Sequence, residues 1–452
     1  MSAESLSEPV AKVIRLLPLS CLLALCAACN PSATGSASNP RTQEPARSVG
    51  EAPNRSPAAS GFRLGIDVLA AEGFSRLRGS RVGLLTHPAG VNRHGESTID
   101  VLRRAPGVQL TALFGPEHGI YGDEAANVPV LDKTDSRTGL PVYSLYGKFR
   151  KPTPAMLAGI DVLVIDLQDL GVRSYTYISS MKLAVEACFE QDKRVVILDR
   201  PNPLGGLKVD GPRLEERWKS YVGAFPIPYV HGLTIGELAL MTVREGWLDL
   251  DAATTRRGRL AVVRMAGWRR GMQWPATGLD WIATSPNIPD LSSVLGYAMT
   301  GLGAQLGGFT HGIGTQHPFR LLRFRGKTPG ELKAALDAAK IPGLDFRIID
   351  SRTRSGAVVR GVFPVLADWQ TVRPTELSFH LMRLAAAWSP TNPFAAATDA
   401  QRVLFNKHVG SSAWWTEISR RGADADVDAF VEAWSADARA FQERARRYWL
   451  YR

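Results

Sequence analysis

Cysteine is scarce in this chain of 452 residues, which has only four. Three of them, Cys21, Cys26 and Cys29, lie within the first thirty residues, and the remaining one is Cys188. A framework of disulfide bonds within the folded part is therefore excluded. Cys188 lies in "MKLAVEACFEQ", where apolar residues recur at helical spacing. The pattern predicts a small buried side chain rather than a nucleophile.

Signatures of several enzyme classes are also missing. The chain has no G-x-S-x-G nucleophile elbow, no H-E-x-x-H motif and no P-loop. The glycines of "GLGAQLGG" (301–308) neither follow a clear strand nor open a clear helix, so nothing in the sequence requires a cofactor. His311 and His317 lack a third ligand nearby in the sequence, and we expect no metal site.

Positive charge is plentiful but not concentrated. The 54 basic and 43 acidic residues give a formal charge of +11. The arginines are scattered, however, and form no basic stripe interleaved with aromatic residues. Nucleic acid is therefore not expected as a partner.

The beginning of the chain has the character of an export signal. Lys12 and Arg15 precede "LLPLSCLLALCAA", which is too short for a comfortable membrane span and ends in small residues. "LCAAC" resembles a lipoprotein cleavage box in which Cys29 carries the lipid, and ordinary cleavage slightly downstream is the alternative. We expect residues 1–29 to be a signal peptide and residues 30–60, rich in Pro, Ser, Ala and Gly, to be a disordered tether. These features predict an exported protein of the cell envelope or periplasm, in contact with a membrane only through such a lipid.

From residue 61 onward, short apolar runs alternate with helical segments. Helices are predicted over "STIDVLRRA" and "SYTYISSMKLAVEACFEQ". Buried strands are predicted over "RVGLLT" (81–86), "VQLTALFG" (108–115), "DVLVIDL" (161–167) and "RVVILD" (194–199). This alternation predicts an α/β fold with a Rossmann-like, doubly wound and mostly parallel sheet.

Polar residues follow each of these four strands. In open α/β sheets a ligand binds outside the carboxyl ends of the strands, where such residues meet in one crevice. The candidates at this edge are Glu117, His118, Gln168, Asp169, Arg173, Asp199, Arg200 and Asn202.

Two of these residues have features that suit catalysis or substrate binding. Glu117 lies between Pro116 and Gly119 in "FGPEHGIYG", a position with a restricted backbone that suits an acid or base. Arg173, two residues before Tyr175, suggests a fork for a substrate carboxylate beside aromatic rings.

Structural roles are open for other candidates. For Asp199 and Arg200 the alternative role is to pair with each other or to cap a helix, and for Asp169 it is to be the N-cap of a helix that starts near Ser174. For His118 the alternative is a hydrogen bond to a backbone carbonyl.

Several long motifs carry a resemblance to a known family. They are "FGPEHGIYG", "TGLPVYSLYGKFRKPTPAMLAGIDVLVIDLQDLGVRSYTYISSM", "VVILDRPNPLGG", "VDGP", "IPYVHGLTIGELA", "SPNIP" and "RRYWLY". From about residue 62 to the C-terminus the chain resembles the exo-acting β-N-acetylmuramidases, glycoside hydrolases that release N-acetylmuramic acid from the non-reducing ends of peptidoglycan fragments. The resemblance implies a Rossmann-like domain, a smaller C-terminal domain and a site in the cleft between them.

Carried over to this sequence, the resemblance makes Glu117 the leading catalytic acid, with Asp169 and His118 as further catalytic candidates. It implies that the sugar pocket is lined by Gln168, Arg173, Tyr175, Tyr177, Asp199, Arg200, Asn202 and His231. The substrate is a peptidoglycan-derived sugar, whose lactyl carboxylate would give Arg173 an anion to bind. The oligomeric state stays open.

Glycoside hydrolysis usually requires a second carboxylate, which acts on water or on the sugar. The sequence leaves open whether this is Asp169, Asp199 or Glu237, or whether the 2-acetamido group of the substrate assists instead. With Thr234, Glu237 also forms a Thr-x-x-Glu pattern that is typical of a helix capping box.

The chain departs from the family pattern in "QLGGFTHGIGTQHPF". Gln305, Gly308, His311 and Ile313 stand where the family usually has Glu, Asn, an acidic or small residue, and Arg. The alternative function is therefore a cell-wall sugar-binding lipoprotein that is non-catalytic or has altered specificity.

The remainder of the chain predicts a smaller α+β domain. "TPGELKAALDAAK" is typical of a helix capped by Thr328, and "FRIIDSRTRSGAVVRGVFPVLA" of a hairpin that turns near "RTRSG". "TELSFHLMRLAAAWS" and "DAFVEAWSADARAFQERARRYWLY" have the pattern of amphipathic helices. We expect a Rossmann-like domain over residues 61–300 and a second domain over residues 301–452 that closes the cleft.

Overall fold

The computed structural model describes residues 61–122, 124 and 131–452. The predicted signal peptide (1–29), with Cys29, and the predicted tether (30–60) lie outside the described residues. None of the helices in the described part combines the length and apolar character that a membrane span requires.

A seven-stranded sheet forms the centre of the first 200 described residues. Its strands are β1 (Arg81–Thr86), β2 (Gln109–Gly115), β3 (Lys133–Thr134), β4 (Pro141–Ser144), β5 (Val162–Asp166), β6 (Arg194–Leu198) and β7 (Arg259–Val263). They lie in the order β3-β4-β2-β1-β5-β6-β7, and all neighbours are parallel except β3 and β4. The four strands predicted from apolar runs are confirmed, and they lie side by side as β2, β1, β5 and β6. The predicted α/β, mostly parallel fold is also confirmed.

The sheet is buried on both faces, which explains the continuous apolar runs. In β5, Leu163 and Ile165 belong to one hydrophobic cluster, whereas Val162 and Val164 belong to a second cluster on the opposite face. Successive side chains of a strand point to opposite faces, so one apolar run supplies both layers of core.

Helices cover both faces of the sheet. In chain order they are α1 (Gly65–Ala71), α2 (Thr98–Arg103), α3 (Pro154–Leu157), α4 (Tyr177–Glu190), α5 (Ile235–Arg244), α6 (Ala252–Arg257) and α7 (Leu291–Thr300). Helix α4 packs Met181 and Val185 into the first cluster, and α1 packs Ile66 into the second. Cys188 is fully buried on α4, as predicted, and burial raises the pKa of its thiol.

The C-terminal part contains two small antiparallel sheets and five helices. The elements are β8 (Phe309–Thr310), β9 (Arg323–Phe324), α8 (Pro329–Ala338), β10 (Leu344–Arg352), β11 (Val358–Leu366), α9 (Glu376–Trp388), α10 (Asp399–Val409), α11 (Ser412–Arg421) and α12 (Val427–Ala445). The predicted hairpin is confirmed as β10 and β11, and Thr328 caps α8 by accepting a hydrogen bond from Glu331 N. Short 3-10 helices span Glu216–Trp218, Trp274–Thr277, Gly422–Asp424 and Arg446–Tyr448.

The end of the chain returns to the central sheet. Tyr451 is buried in the second cluster, beside Trp268, and its ring meets that indole edge to face with centroids 5.0 Å apart. The carbonyl of Arg452 accepts a hydrogen bond from Arg270 N. The last residues therefore complete the core of the N-terminal sheet. The division of the chain at residue 300 stays a prediction.

Candidate active site

The turn after β2 presents Glu117 at the carboxyl edge of the sheet. Gly119 N donates to the carbonyl of Pro116, which closes the turn, and His118 adopts a left-handed backbone with φ of 72°. A Cβ atom on Gly115 would lie 3.2 Å from the Cα atom of Gly119, so a side chain there would crowd the turn. Strained backbone of this kind clusters at functional sites. The turn holds a half-buried carboxylate on a constrained loop.

Glu117 is held by residues at the start of α4. The Thr176 hydroxyl donates to Glu117 Oε2 at 2.9 Å, and the Tyr177 hydroxyl lies 3.5 Å from the Glu117 carbonyl. The neighbouring His118 is buried, with Nδ1 3.0 Å from the carbonyl of Glu124, which matches the backbone-carbonyl role considered for it.

Two tyrosines and an arginine lie beside Glu117. Burial raises the pKa of Tyr146, and the Glu117 carboxylate raises it further by its charge and by a hydrogen bond. Burial also raises the pKa of Tyr221 to about 12, again with a contribution from Glu117. The exposed Arg150 guanidinium lies 4.5 Å from the centre of the Tyr146 ring and 4.0 Å from that of Tyr221. A cation thus lies against the two tyrosines whose pKa values Glu117 raises.

The switch point of the sheet lies between β1 and β5, because the chain leaves them towards neighbours on opposite sides. There, Gln168 N donates to Nε2 of His87 at 2.8 Å. Burial holds the pKa of His87 well below its ordinary value, and Arg200 and His118 lower it further. His87 is therefore a neutral imidazole with its proton on Nδ1. Within the described residues, His87 Nδ1 and Gln168 Oε1 are buried without a hydrogen-bond partner.

Asp169 and His231 form the next part of this edge. Asp169 Oδ2 accepts a hydrogen bond from Gly171 N at 2.7 Å and lies 3.4 Å from His231 Nε2. Asp169 Oδ1 is buried and has no hydrogen-bond partner in the described part of the chain. The expected alternative, Asp169 as a helix N-cap, is wrong because α4 begins at Tyr177 with Thr176 as its N-cap residue.

Glu117 and Asp169 both raise the pKa of the same two tyrosines. Burial raises the pKa of Tyr175 and of Tyr297, and the charges of both carboxylates raise each pKa further. The Tyr175 hydroxyl donates to Thr284 Oγ1 at 2.8 Å. Both carboxylates therefore lie within electrostatic reach of one aromatic cluster.

Arg200 and Asn202 hold neighbouring loops together. Arg200 pairs with the buried Asp166, with Nε 2.5 Å from Oδ1, and also donates to the carbonyl of Val91. Asn202 donates to the carbonyl of Leu233 and accepts from Leu204 N. Arg200 thus does not pair with Asp199, and both predicted pocket residues have protein partners.

Asp199 lies away from Glu117, beneath α5 and the C-terminus. It accepts hydrogen bonds from Gly236 N and from the hydroxyls of Thr234 and Tyr451, so that it caps α5, one of the roles considered for it. Burial raises the pKa of Asp199 to about 7, and Glu237 contributes to the increase.

Glu237 is also structural. The capping box with Thr234 is confirmed, and the fully buried carboxylate pairs with Arg270 at 2.6 Å. It also accepts a hydrogen bond from Leu450 N.

The hydrogen-bond partners of Arg173 are backbone carbonyls of the protein, whereas the sequence predicted a substrate carboxylate. Its side chain is fully buried, and Nη1 and Nη2 donate to backbone carbonyls from three separate segments. These carbonyls belong to Pro212, Ile227, His408 and Val409. The guanidinium ties the loop after β5 to the end of α10.

The departures from the family pattern fall in the segment between α7 and β9. His311 is buried in an apolar surround with Leu306 and Met382, and burial lowers the pKa of His311 to about 4. Ile313 is 55% exposed, Gln305 is half-buried and Gly308 is exposed.

One group of possible metal ligands occurs among the described residues: Glu376, His380 and Asp428. Arg373 pairs with Glu376 at 2.8 Å and Arg383 Nη2 lies 3.2 Å from His380 Nδ1, so guanidinium groups already supply positive charge there. The group includes neither His311 nor His317.

Several neighbours of Glu117 were not singled out from the sequence. The carboxylate or its partners are contacted by Thr176, Tyr146, Tyr221 and Arg150. At the switch point, His87 accepts a hydrogen bond from Gln168 N and so links the loops after β1 and β5. His87 directly follows a strand, which is a signal the sequence contains. The other four come from a helix start and from loops, where no pattern marks them.

The fold and site define a Rossmann-like α/β protein with two carboxylates and an aromatic cluster at the carboxyl edge of its sheet. Family models for the N-terminal and C-terminal parts of the exo-β-N-acetylmuramidase NamZ match residues 82–292 and 295–451. The chain belongs to this family.

The chain is also similar to a named relative and to two solved structures. The chain is 36% identical over 393 residues to the peptidoglycan β-N-acetylmuramidase NamZ of Bacillus subtilis (strain 168), covering 86% of this chain and 91% of that protein. Two crystal structures of DUF1343 family proteins from Bacteroides fragilis NCTC 9343 are similar, with TM-scores of 0.78 and 0.63 at 40% and 26% identity. Each match covers 86% of this chain and 99% of the other.

Proposed function

We propose that this protein is an exo-β-N-acetylmuramidase, which hydrolyses terminal non-reducing N-acetylmuramic acid residues from peptidoglycan fragments. Family membership over both parts of the chain supports the reaction class. The observation that carries the proposal is the Glu117 carboxylate, held by Thr176 in a strained turn at the carboxyl edge of the sheet.

In the proposed reaction Glu117 is the general acid. Its proton passes to the glycosidic oxygen as the bond to the anomeric carbon breaks, and water supplies the oxygen that replaces the leaving group. The products are free N-acetylmuramic acid and the remaining sugar with a new hydroxyl. The chain's part is to hold the proton donor and to orient the sugar, and Thr176 limits the positions that the carboxylate adopts.

Asp169 is the second carboxylate of this proposal. It shares the tyrosine cluster with Glu117, and its buried Oδ1 has no protein partner in the described residues. Asp199 and Glu237, by contrast, are occupied by Tyr451 and Arg270. Asp169 is therefore the better placed group to act on water or to orient the acetamido group of the sugar.

The test is hydrolysis of a chromogenic β-N-acetylmuramide, with the matching β-N-acetylglucosaminide as control. Wild type releases the chromophore from the muramide, and Glu117→Gln lowers kcat about a thousand-fold while it still binds the sugar. The alternative, a non-catalytic sugar-binding protein, predicts equal ligand affinity in both proteins and no release by wild type. That result, obtained with folded protein, would replace the enzymatic proposal.

Export and lipidation at Cys29 complete the proposal. A substrate derived from the cell wall is consistent with a protein of the envelope or periplasm, and the signal-like "LLPLSCLLALCAAC" supports export. Mass spectrometry of the mature N-terminus tests this. A diacylglycerol-modified Cys29 is expected, and an unmodified N-terminus further along the chain would contradict lipidation.

A further inference from the structure

A cavity of about 300 Å³ lies at the carboxyl edge of the sheet, over the ends of β1, β5 and β6. Its walls come from the loop after β1, from Gln168 and Arg200, and from the segment that contains Trp274 and Trp281. Its volume lies at the lower end of the range for small-molecule sites. Glu117 follows β2 and is not among its lining residues.

The cavity is connected to the Glu117 turn through one short segment. Trp281 lines the cavity, and Thr284, three residues later, accepts a hydrogen bond at its carbonyl from the Tyr177 hydroxyl at 2.6 Å. The same hydroxyl lies 3.5 Å from the carbonyl of Glu117. β1 separates β2 from β5, so the cavity begins about 5 to 10 Å from the strand that carries the acid.

The lining has the character of a site for a neutral polar ring. Trp281 is half-buried, offers an aromatic surface, and its indole N–H is engaged by the carbonyl of Ile288. Gln168 is 2% exposed, and its Oε1 has no hydrogen-bond partner among the described residues, so a donor from a ligand would satisfy it.

The charges around the cavity do not favour an anion. The guanidinium of Arg200 is paired with Asp166. The exposed Arg93, whose Nη1 donates to the carbonyl of Phe62, keeps its positive charge. The exposed carboxylate of Asp280 carries the opposite charge on the same wall, so Arg93 and Asp280 together leave no excess positive charge for an anion. Asp280 also accepts hydrogen bonds from hydroxyl groups. Arg150, an exposed cation that does not line the cavity, lies next to Tyr146 and Tyr221.

We infer that this cavity is the subsite for the leaving-group sugar, a neutral N-acetylated amino sugar whose ring lies against Trp281. The inference rests on the proposed function and adds the position of the second sugar. In this arrangement Glu117 lies between the muramic acid, whose lactyl carboxylate faces Arg150, and the sugar that departs. Gln168 Oε1 accepts a hydrogen bond from the departing sugar.

Two substrates separate this subsite from the catalytic centre. One is the disaccharide of N-acetylmuramic acid linked β-1,4 to N-acetylglucosamine, and the other is β-N-acetylmuramyl fluoride, whose leaving group is too small to reach the cavity. Trp281→Ala is expected to lower kcat/KM for the disaccharide about ten-fold. The kcat/KM of this variant for the fluoride should stay within about two-fold of the wild-type value. Asp280→Ala changes an exposed side chain. It is expected to lower kcat/KM for the disaccharide by a smaller factor and to leave kcat/KM for the fluoride unchanged.

The control is Trp369→Ala. Trp369 is also half-buried but does not line the cavity, so the change should leave kcat/KM for both substrates unchanged. Equal losses on the two substrates would place the muramic acid itself in the cavity, and unchanged hydrolysis of the disaccharide by both cavity variants would mean that no sugar binds there. Either result overturns the inference. If Trp281→Ala fails to fold, the same comparison of the two substrates is made with Asp280→Ala and Trp281→Phe. Failure of wild type to hydrolyse either substrate would instead refute the proposed function.

Discussion

The hydroxyl of Thr176 donates a hydrogen bond to Oε2 of Glu117, with 2.9 Å between the oxygens. Thr176 is the N-cap residue of α4, so the start of that helix positions the carboxylate that follows β2. The acid and the group that holds it are 59 residues apart in the chain.

Loss of this hydrogen bond should reduce turnover more than binding. Thr176→Val keeps the shape of the side chain but removes the donor. We expect kcat to fall by up to about ten-fold with little change in KM, because a hydrogen bond between uncharged groups, such as the one to the protonated Glu117, contributes about 0.5 to 1.5 kcal/mol. Steady-state kinetics on the muramide measure both constants. Thr176→Ser restores the hydroxyl and should recover most of kcat. Equal losses in the Ser and Val variants would show that Thr176 acts through packing instead.

Arg150 should determine selectivity for muramic acid over glucosamine. The lactyl carboxylate distinguishes the two sugars, and Arg150 is the exposed cation beside the Glu117 cluster. Arg150→Gln should raise KM for the muramide by about ten- to a hundred-fold and leave the much slower glucosaminide reaction unchanged. Arg325→Gln, at another exposed arginine, should change neither. Equal effects of Arg150→Gln on both sugars would rule out a contact with the lactyl group.

Arg173 should contribute chiefly to stability. Arg173→Met leaves several buried carbonyls without their donor, and we expect the free energy of unfolding to fall by about 3 kcal/mol or more. Urea unfolding measures the change. Arg213→Met is the matched control, because Arg213 also donates to a carbonyl, that of Pro226, but is exposed. Unchanged stability together with a raised KM for the muramide would instead support the substrate-carboxylate role that the sequence suggests.

Two capping boxes isolate the effect of a buried ion pair. Glu237 and Glu331 each cap a helix with a threonine three residues earlier, but only Glu237 is buried and paired with Arg270. Glutamine preserves a capping box, so Glu237→Gln mainly removes the charge that Arg270 faces. It should reduce stability by about 3 to 5 kcal/mol, and Glu331→Gln should have a much smaller effect. Similar midpoints in thermal unfolding for the two variants would contradict this account.

The pH dependence of stability should report on Asp199. The pKa of Asp199 is raised to about 7 by burial, so the folded state retains a proton that the unfolded chain releases near pH 4. Ionisation therefore favours unfolding, and stability attributable to Asp199 is lost as the pH rises from about 4 to 7.

Asp199→Asn imitates the protonated carboxyl. Its amide can accept from the backbone donors of Arg200 and Gly236 and donate to the hydroxyls of Thr234 and Tyr451. The stability of the variant relative to wild type should thus rise by roughly 4 kcal/mol between pH 4 and pH 7. Asp345→Asn, at an exposed carboxylate, should give a difference that does not vary with pH. A constant difference for Asp199→Asn would mean that the group is already ionised at pH 4.

The sequence alone determined the elements whose signals are local. Apolar runs identified β1, β2, β5 and β6, a Thr-x-x-Glu pattern identified the cap of α5, and Thr328 was identified as the cap of α8. Glu117 was identifiable because its turn follows a strand and is bounded by proline and glycine. These features depend on residues a few positions apart, so their patterns are visible in one dimension.

Only the tertiary structure decided the roles of the other polar residues at the same sheet edge. Arg173 binds carbonyls more than 200 residues away, and Asp199 meets Tyr451, 252 residues later. Both were grouped with Glu117 because they follow strands of one sheet, yet the C-terminal segments supply their partners. A buried charge is stabilised by whichever donors or acceptors surround it, and that surrounding is set by packing between distant segments, which local sequence patterns do not encode.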